Sequence, residues 1–126
     1  MKMVNFWEIL EQITSFWEKE RIPEKRVKFV VDFLIKNTGG YEQYEKIHSK
    51  YIVIKKGIGR KIKRKTIRVS DHFPSKKTKI DCNIYVGDSV KLVSEQLFNA
   101  IKMVEDFSKE IETKIKKEEE RISRLG

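Results

Sequence analysis

Asp71 and His72 close the run Arg68-Val69-Ser70-Asp71-His72, and Asp81 stands ten residues further on. Brought together, two carboxylates and an imidazole could hold a divalent cation or divide the roles of acid and base. Antiparallel pairing of the strand that ends at Asp71 with the strand that begins at Asp81 is what would bring them together. No HxxxH or DxD accompanies them, and no clean ExK follows to complete a metal-dependent nuclease core. The simpler expectation is that Ser70 and Asp71 cap a turn through side-chain to backbone bonds while Asp71 offsets Arg68. Asp71, His72 and Asp81 therefore stand as minor metal candidates, and no cofactor is expected. Cys82 is the chain's single cysteine, which excludes an intramolecular disulfide and any multi-cysteine zinc site. It shares a strand face with Ile80, Ile84 and Val86, the setting of an inert core thiol rather than a nucleophile. Gly57-Ile58-Gly59-Arg60 resembles a phosphate cradle only in its glycines. It precedes a strand, not a helix N-terminus, and reads as a turn.

The stronger chemical signal is charge. Lys50 to Lys79 holds twelve basic residues against one acid, Asp71, a local net charge of +11; the rest of the chain, with 16 bases and 18 acids, carries −2. Solvated surfaces mix their signs, and so do lysine-rich thermostable ones, which pair Lys with Glu. A one-sign stretch favours a polyanionic partner, because each phosphate neutralised releases counterions. The expected contacts are Lys55, Lys56, Arg60, Lys61, Lys63, Arg64, Lys65, Arg68, Lys76, Lys77 and Lys79 on phosphates. Tyr51, Phe73 and Tyr85 are expected to stack on unpaired bases if they lie on an open sheet face. Lysine outnumbers arginine nine to three in this stretch, which favours point-charge contact over bidentate base reading and hence low sequence specificity.

The elements that must position these residues follow from length and periodicity. The 126 residues allow one modest core, and 37% charged residues leave little surplus apolar surface. Thirteen aromatic residues argue against disorder. No apolar run reaches the ~20 residues of a membrane span, and Met1 to Lys19 lacks the pattern of a secretory signal. The chain thus reads as a cytoplasmic protein with no membrane partner, a single domain over residues 1–126. Residues 5–37 read as a helical hairpin, with Asn5 and Glu8 as a capping box, Pro23 opening the second helix and Gly39-Gly40 closing it. Tyr41 to Ile47 is ambiguous, a short helical turn being one reading. Residues 50–87 read as a basic three-stranded antiparallel meander. Its strands are centred on Tyr51–Ile54, Thr66–Val69 and Ile80–Val86, and Lys61–Lys65 forms either a bulge or a long hairpin tip. Residues 88–125 form a long helix. Val90, Val93, Leu97, Ala100, Val104, Phe107 and Ile111 recur at alternating spacings of three and four, a seam that can pack on this chain's own sheet or mate with a second chain. Beyond Ile111 the stripe shifts to Ile115, Ile122 and Leu125. The fold class is α+β.

The segments Ser49-Lys50-Tyr51-Ile52, Ile67-Arg68-Val69-Ser70-Asp71-His72 and Ile80-Asp81-Cys82-Asn83-Ile84-Tyr85 together resemble a hairpin pattern in uncharacterised phage and mobile-element proteins. The resemblance implies a small accessory protein of a mobile element and carries no activity with it. The expectation is therefore a non-enzymatic protein that binds DNA or RNA through its basic hairpin. The alternative is an accessory or inhibitor protein whose basic surface meets an acidic protein and whose long helix is a homodimer seam; a metal-dependent nuclease is the distant third.

Overall fold

The computed structural model describes residues 5–46, 49–72 and 80–125. Three helices and a four-stranded mixed sheet make an α+β fold. They run in the order α1 (Phe6–Lys19), α2 (Pro23–Thr38), β1 (Tyr41–Lys46), β2 (Ser49–Lys56), β3 (Lys63–Ser70), β4 (Cys82–Tyr85) and α3 (Val90–Leu125). The punctuation acts as its chemistry dictates. The Asn5 side chain accepts the Glu8 N–H at 2.9 Å, while its amide donates to the Glu8 carboxylate at 3.1 Å. Pro23 occupies the first turn of α2, and Gly39 closes that helix at φ 72°, a left-handed conformation open to glycine at little strain. The corner after α1 is clamped by Arg26, whose guanidinium donates to the Glu20 and Trp17 carbonyls and lies over the Trp17 ring.

The two N-terminal helices do not form a side-by-side hairpin. Helix α1 packs along α3, while α2 packs on α3 and on the sheet, and the pair meets where Phe16 stacks on Phe29 at 4.2 Å. All three helices share one core with a single face of the sheet. Ile52, Ile54, Ile67, Val69 and Ile84 come from the strands, Val30, Val31 and Leu34 from α2, Ile9 and Ile13 from α1, and Leu97, Ala100 and Val104 from α3. Every residue of the expected dimer seam except half-buried Val90 is buried in this core, and Val90 packs against it. The seam is intramolecular, so it is not a surface for a second chain. No described helix is long and apolar enough to cross a membrane.

The sheet departs from the expected meander in two ways. Tyr41–Lys46 is an edge strand antiparallel to β2, with the register slipping between Glu42 and Tyr44. That slip sets Tyr41 opposite Val53 and Tyr44 opposite Tyr51, so two tyrosines three apart in sequence oppose two β2 residues only two apart. Such a three-residue spacing imitates a helical turn. The second departure is larger. Strands β2 and β3 are antiparallel as expected, but β4 runs parallel to β3, with Ile67 opposite Cys82 and Ser70 opposite Tyr85. Parallel neighbours cannot be joined by a tight hairpin, and eleven residues, Asp71 to Asp81, separate β3 from β4 in the sequence.

Candidate nucleic-acid interface

Register determines which part of the β2–β3 hairpin stands alone. Strand β1 reaches only as far as Val53 on one edge, and β4 begins at the level of Ile67 on the other. The Asp81 carboxylate extends that edge by one residue, accepting the Thr66 N–H at 2.8 Å. Beyond these points the pairs Ile54–Lys65, Lys55–Arg64 and Lys56–Lys63 have no strand beside them among the described residues, so the hairpin continues there as a two-stranded ribbon. A 3₁₀ turn at Gly59–Lys61 closes it. Gly57, at φ 126°, lets the ribbon reverse; a methyl group there would fall against the Lys61 carbonyl oxygen. From Lys55 to Lys65 the ribbon carries seven cations and no acid.

These cations divide between two faces. Ile52, Ile54, Ile67 and Val69 belong to the helix-side core, so the strand alternation puts Lys56, Lys63 and Lys65 on that side and Lys55 and Arg64 on the outer side. Lys55, Arg60, Lys61, Lys63 and Arg64 are exposed and Lys56 is half-buried. Lys65 is engaged locally: its ammonium lies 5.7 Å from the Phe107 ring centroid and 3.8 Å from the Asp81 carboxylate. The helix side is not purely basic either. Glu110 of α3 is held below its ordinary pKa by Lys114 first, and then by Lys63 and Lys65. Glu118 is lowered chiefly by Arg121 and further by Lys61. Yet α3 from Lys109 onward brings six cations as well as five acids, so the helix leaves the ribbon's excess uncancelled.

Several expected contacts are elsewhere. Arg68 is only 6% exposed and donates to the Ser49 and Ser70 hydroxyls, so it is part of the fold and not a phosphate contact. Tyr51, at 4% exposure, is closed to a base. Tyr85 is half-buried at the opposite end of β3 from the ribbon tip, its ring lying close against Gly87. Phe73, Lys76, Lys77 and Lys79 lie outside the described residues. One aromatic residue was missed: Tyr41, exposed at the edge of the sheet with Lys55 Nζ 5.8 Å from its ring centroid. Its signal was hidden in the strand that reads as a turn.

The parallel strand pair disperses the metal candidates. The Asp81 N–H donates to the Thr66 carbonyl at 3.0 Å, so Asp81 sits at the start of the shared register, while Asp71 and His72 follow its far end. Five strand residues at about 3.3 Å each separate the levels of Asp81 and Asp71, roughly 16 Å. His72 Nδ1 lies 3.4 Å from the Asp71 carboxylate. Among the described residues no group of three or more metal-ligating side chains converges. Strand direction therefore keeps Asp81 apart from Asp71 and His72.

Cys82 is packed against the core, and burial, with Asp81 adding to it, raises its thiol pKa from 9.0 to about 11. The folded thiol stays protonated at pH 8 and should react with iodoacetamide far more slowly than in the unfolded chain. Because the folded pKa lies above the unfolded one, the stability tied to this group is whole below pH 9. It declines as pH rises from about 9 to about 11, an effect that a Cys82→Ala chain should lack in denaturant melts across that window. Comparison of the chain with protein-family models, with curated proteins and with solved structures finds no match.

Proposed function

We propose that this is a non-enzymatic nucleic-acid-binding protein whose β2–β3 ribbon makes largely sequence-independent phosphate contacts. The observation that carries the reading is a two-stranded ribbon, unflanked among the described residues, with seven cations and no acid between Lys55 and Lys65. A ribbon of two strands has the width that a duplex major groove admits, and its exposed ammonium and guanidinium groups suit phosphate more than base edges. Among the described residues the contact set is Lys55, Arg60, Lys61, Lys63 and Arg64, with Lys56 beside them and Arg68 left out; Lys76, Lys77 and Lys79 stay in the proposal on charge alone. With Tyr51 buried and Tyr85 distant, Tyr41 beside Lys55 is the one described aromatic residue near the contact set that a base could reach, so phosphate contact carries more of the binding than stacking and duplex is favoured over single strands. The resemblance of the hairpin segments to mobile-element proteins supplies a setting, an accessory protein that handles such an element's nucleic acid.

Fluorescence-anisotropy titrations of labelled duplex and single-stranded oligonucleotides test this. Five phosphate contacts give a log–log salt slope of about −4.5 on duplex, so affinity should fall roughly 500-fold between 50 and 200 mM salt. No binding at 50 mM salt would remove the proposal.

A further inference from the structure

The helix side of the ribbon has an apolar chemistry that phosphate binding leaves unused. Between the ribbon tip and the last turns of α3 runs an open groove of about 970 Å³. Its floor and walls are isoleucines: Ile111 and Ile115 from the helix, Ile58 and Ile62 from the tip, and Ile122 further along. Three of these are strongly exposed for aliphatic side chains, Ile58 at 66%, Ile122 at 59% and Ile62 at 54%, and Leu125 follows at 79%. Around them stand six cations and two acids, Glu118 and Glu119. The core ends at Ile111, so the fourteen residues after it leave no residue buried. These turns continue the 36-residue α3, whose buried part nucleates them, but their own apolar side chains find no cover on the sheet.

We propose that this groove docks an acidic amphipathic helix of another protein. Each alternative occupant meets one feature poorly. Nucleic acid offers little to an isoleucine floor. A second copy would bring the same cationic end against this one. A bilayer is flat, and the groove is concave, with buried Ile111 at its base. A helix with apolar residues at i, i+3, i+4 and i+7 fits: Ile111 to Ile122 spans about 16 Å, three turns. Asp or Glu on its flanks would answer Lys61, Lys63, Lys117 and Arg121 on the rim. The proposal goes beyond the nucleic-acid reading: the groove shares Lys61 and Lys63 with the phosphate contacts, but its isoleucines, Lys117 and Arg121 are its own, and Lys55 and Arg64 lie on the opposite side of the ribbon.

The test is selection of a displayed library of 14-residue helical peptides against the full chain. The expected consensus has that apolar spacing with Asp or Glu beside it, and a synthetic consensus peptide should bind one to one. Ile62→Glu and Lys117→Glu, both at exposed positions, should each weaken that peptide at least tenfold, while Lys55→Glu on the other face changes it less than threefold. Circular dichroism confirms that each variant is folded. Enrichment of basic or patternless peptides, or peptides indifferent to Ile62→Glu, would overturn the proposal. Two other outcomes would also overturn it: a dimer in sedimentation equilibrium that Ile62→Glu dissociates, and binding to phosphatidylserine vesicles that Ile62→Glu abolishes. Loss of oligonucleotide binding in Lys55→Glu/Arg64→Glu, with peptide binding kept, separates the two sites.

Discussion

Replacing Lys55, Arg60, Lys61 and Arg64 together by glutamate should abolish duplex binding at 100 mM salt while leaving the fold intact. All four side chains are exposed, none holds a core contact, and the ribbon they occupy has no neighbouring strand among the described residues. The exchange turns the seven cations between Lys55 and Lys65 into three cations and four acids, a local net charge of −1. Four lost phosphate contacts would reduce the salt slope by about 3.6 of its expected 4.5, which leaves only weak residual attraction. Anisotropy at several salt concentrations reads the slope, and a thermal melt reads the fold. A matched variant at Lys76, Lys77 and Lys79 tells whether the rest of the basic run shares the task. Arg68 separates the ribbon's role from the run's charge in another way. Arg68→Lys removes the fork that reaches both Ser49 and Ser70, so it should lower stability and leave the salt slope in place. Should the four-fold reversal bind as tightly as the parent, the ribbon is not the interface.

What the residues disclosed in advance, and what they hid, has a common physical cause. Caps are local. Asn5 with Glu8, Pro23 and Gly39 act within one turn of backbone, and each marks the boundary it announced. The alternation of Ile80, Cys82 and Ile84 likewise identified a strand and the buried side of Cys82. Strand direction is not local. The same alternation serves a parallel or an antiparallel neighbour, and only the eleven-residue link from Asp71 to Asp81, long for a hairpin, hinted at a crossover. The metal candidates depended on that direction, which keeps Asp81 apart from Asp71 and His72. At β1 a single slip beside Gln43 disguised a strand as a turn, and Tyr41 was lost with it. The charge run was plain from composition, yet composition could not tell that Arg68 points away from solvent while Lys55 and Arg64 remain open. Two residues on the same strand face, four apart, have opposite fates because Arg68 lies within the full width of the sheet and Arg64 beyond it.

The heptad seam carries the second large effect. Leu97→Ala should destabilise the chain by about 3 kcal/mol, within the range measured for buried leucines that leave a cavity. Leu97 has no exposed surface and sits among residues of the sheet and of the other helices. For a chain of this length that loss lowers the thermal midpoint by roughly 10–15 °C. The informative part is its independence of concentration. A seam shared between two chains would give a midpoint that rises with protein concentration and a Leu97→Ala variant that dissociates to folded monomers. A seam closed on its own sheet gives the same drop at 5 and at 200 μM, with loss of helix signal and not of subunits. Truncation after Ile111 completes the contrast. It keeps all seven seam residues and removes the unburied turns, so its midpoint should stay close to that of the full chain, while the groove, deprived of Ile115 and Ile122, no longer takes a peptide.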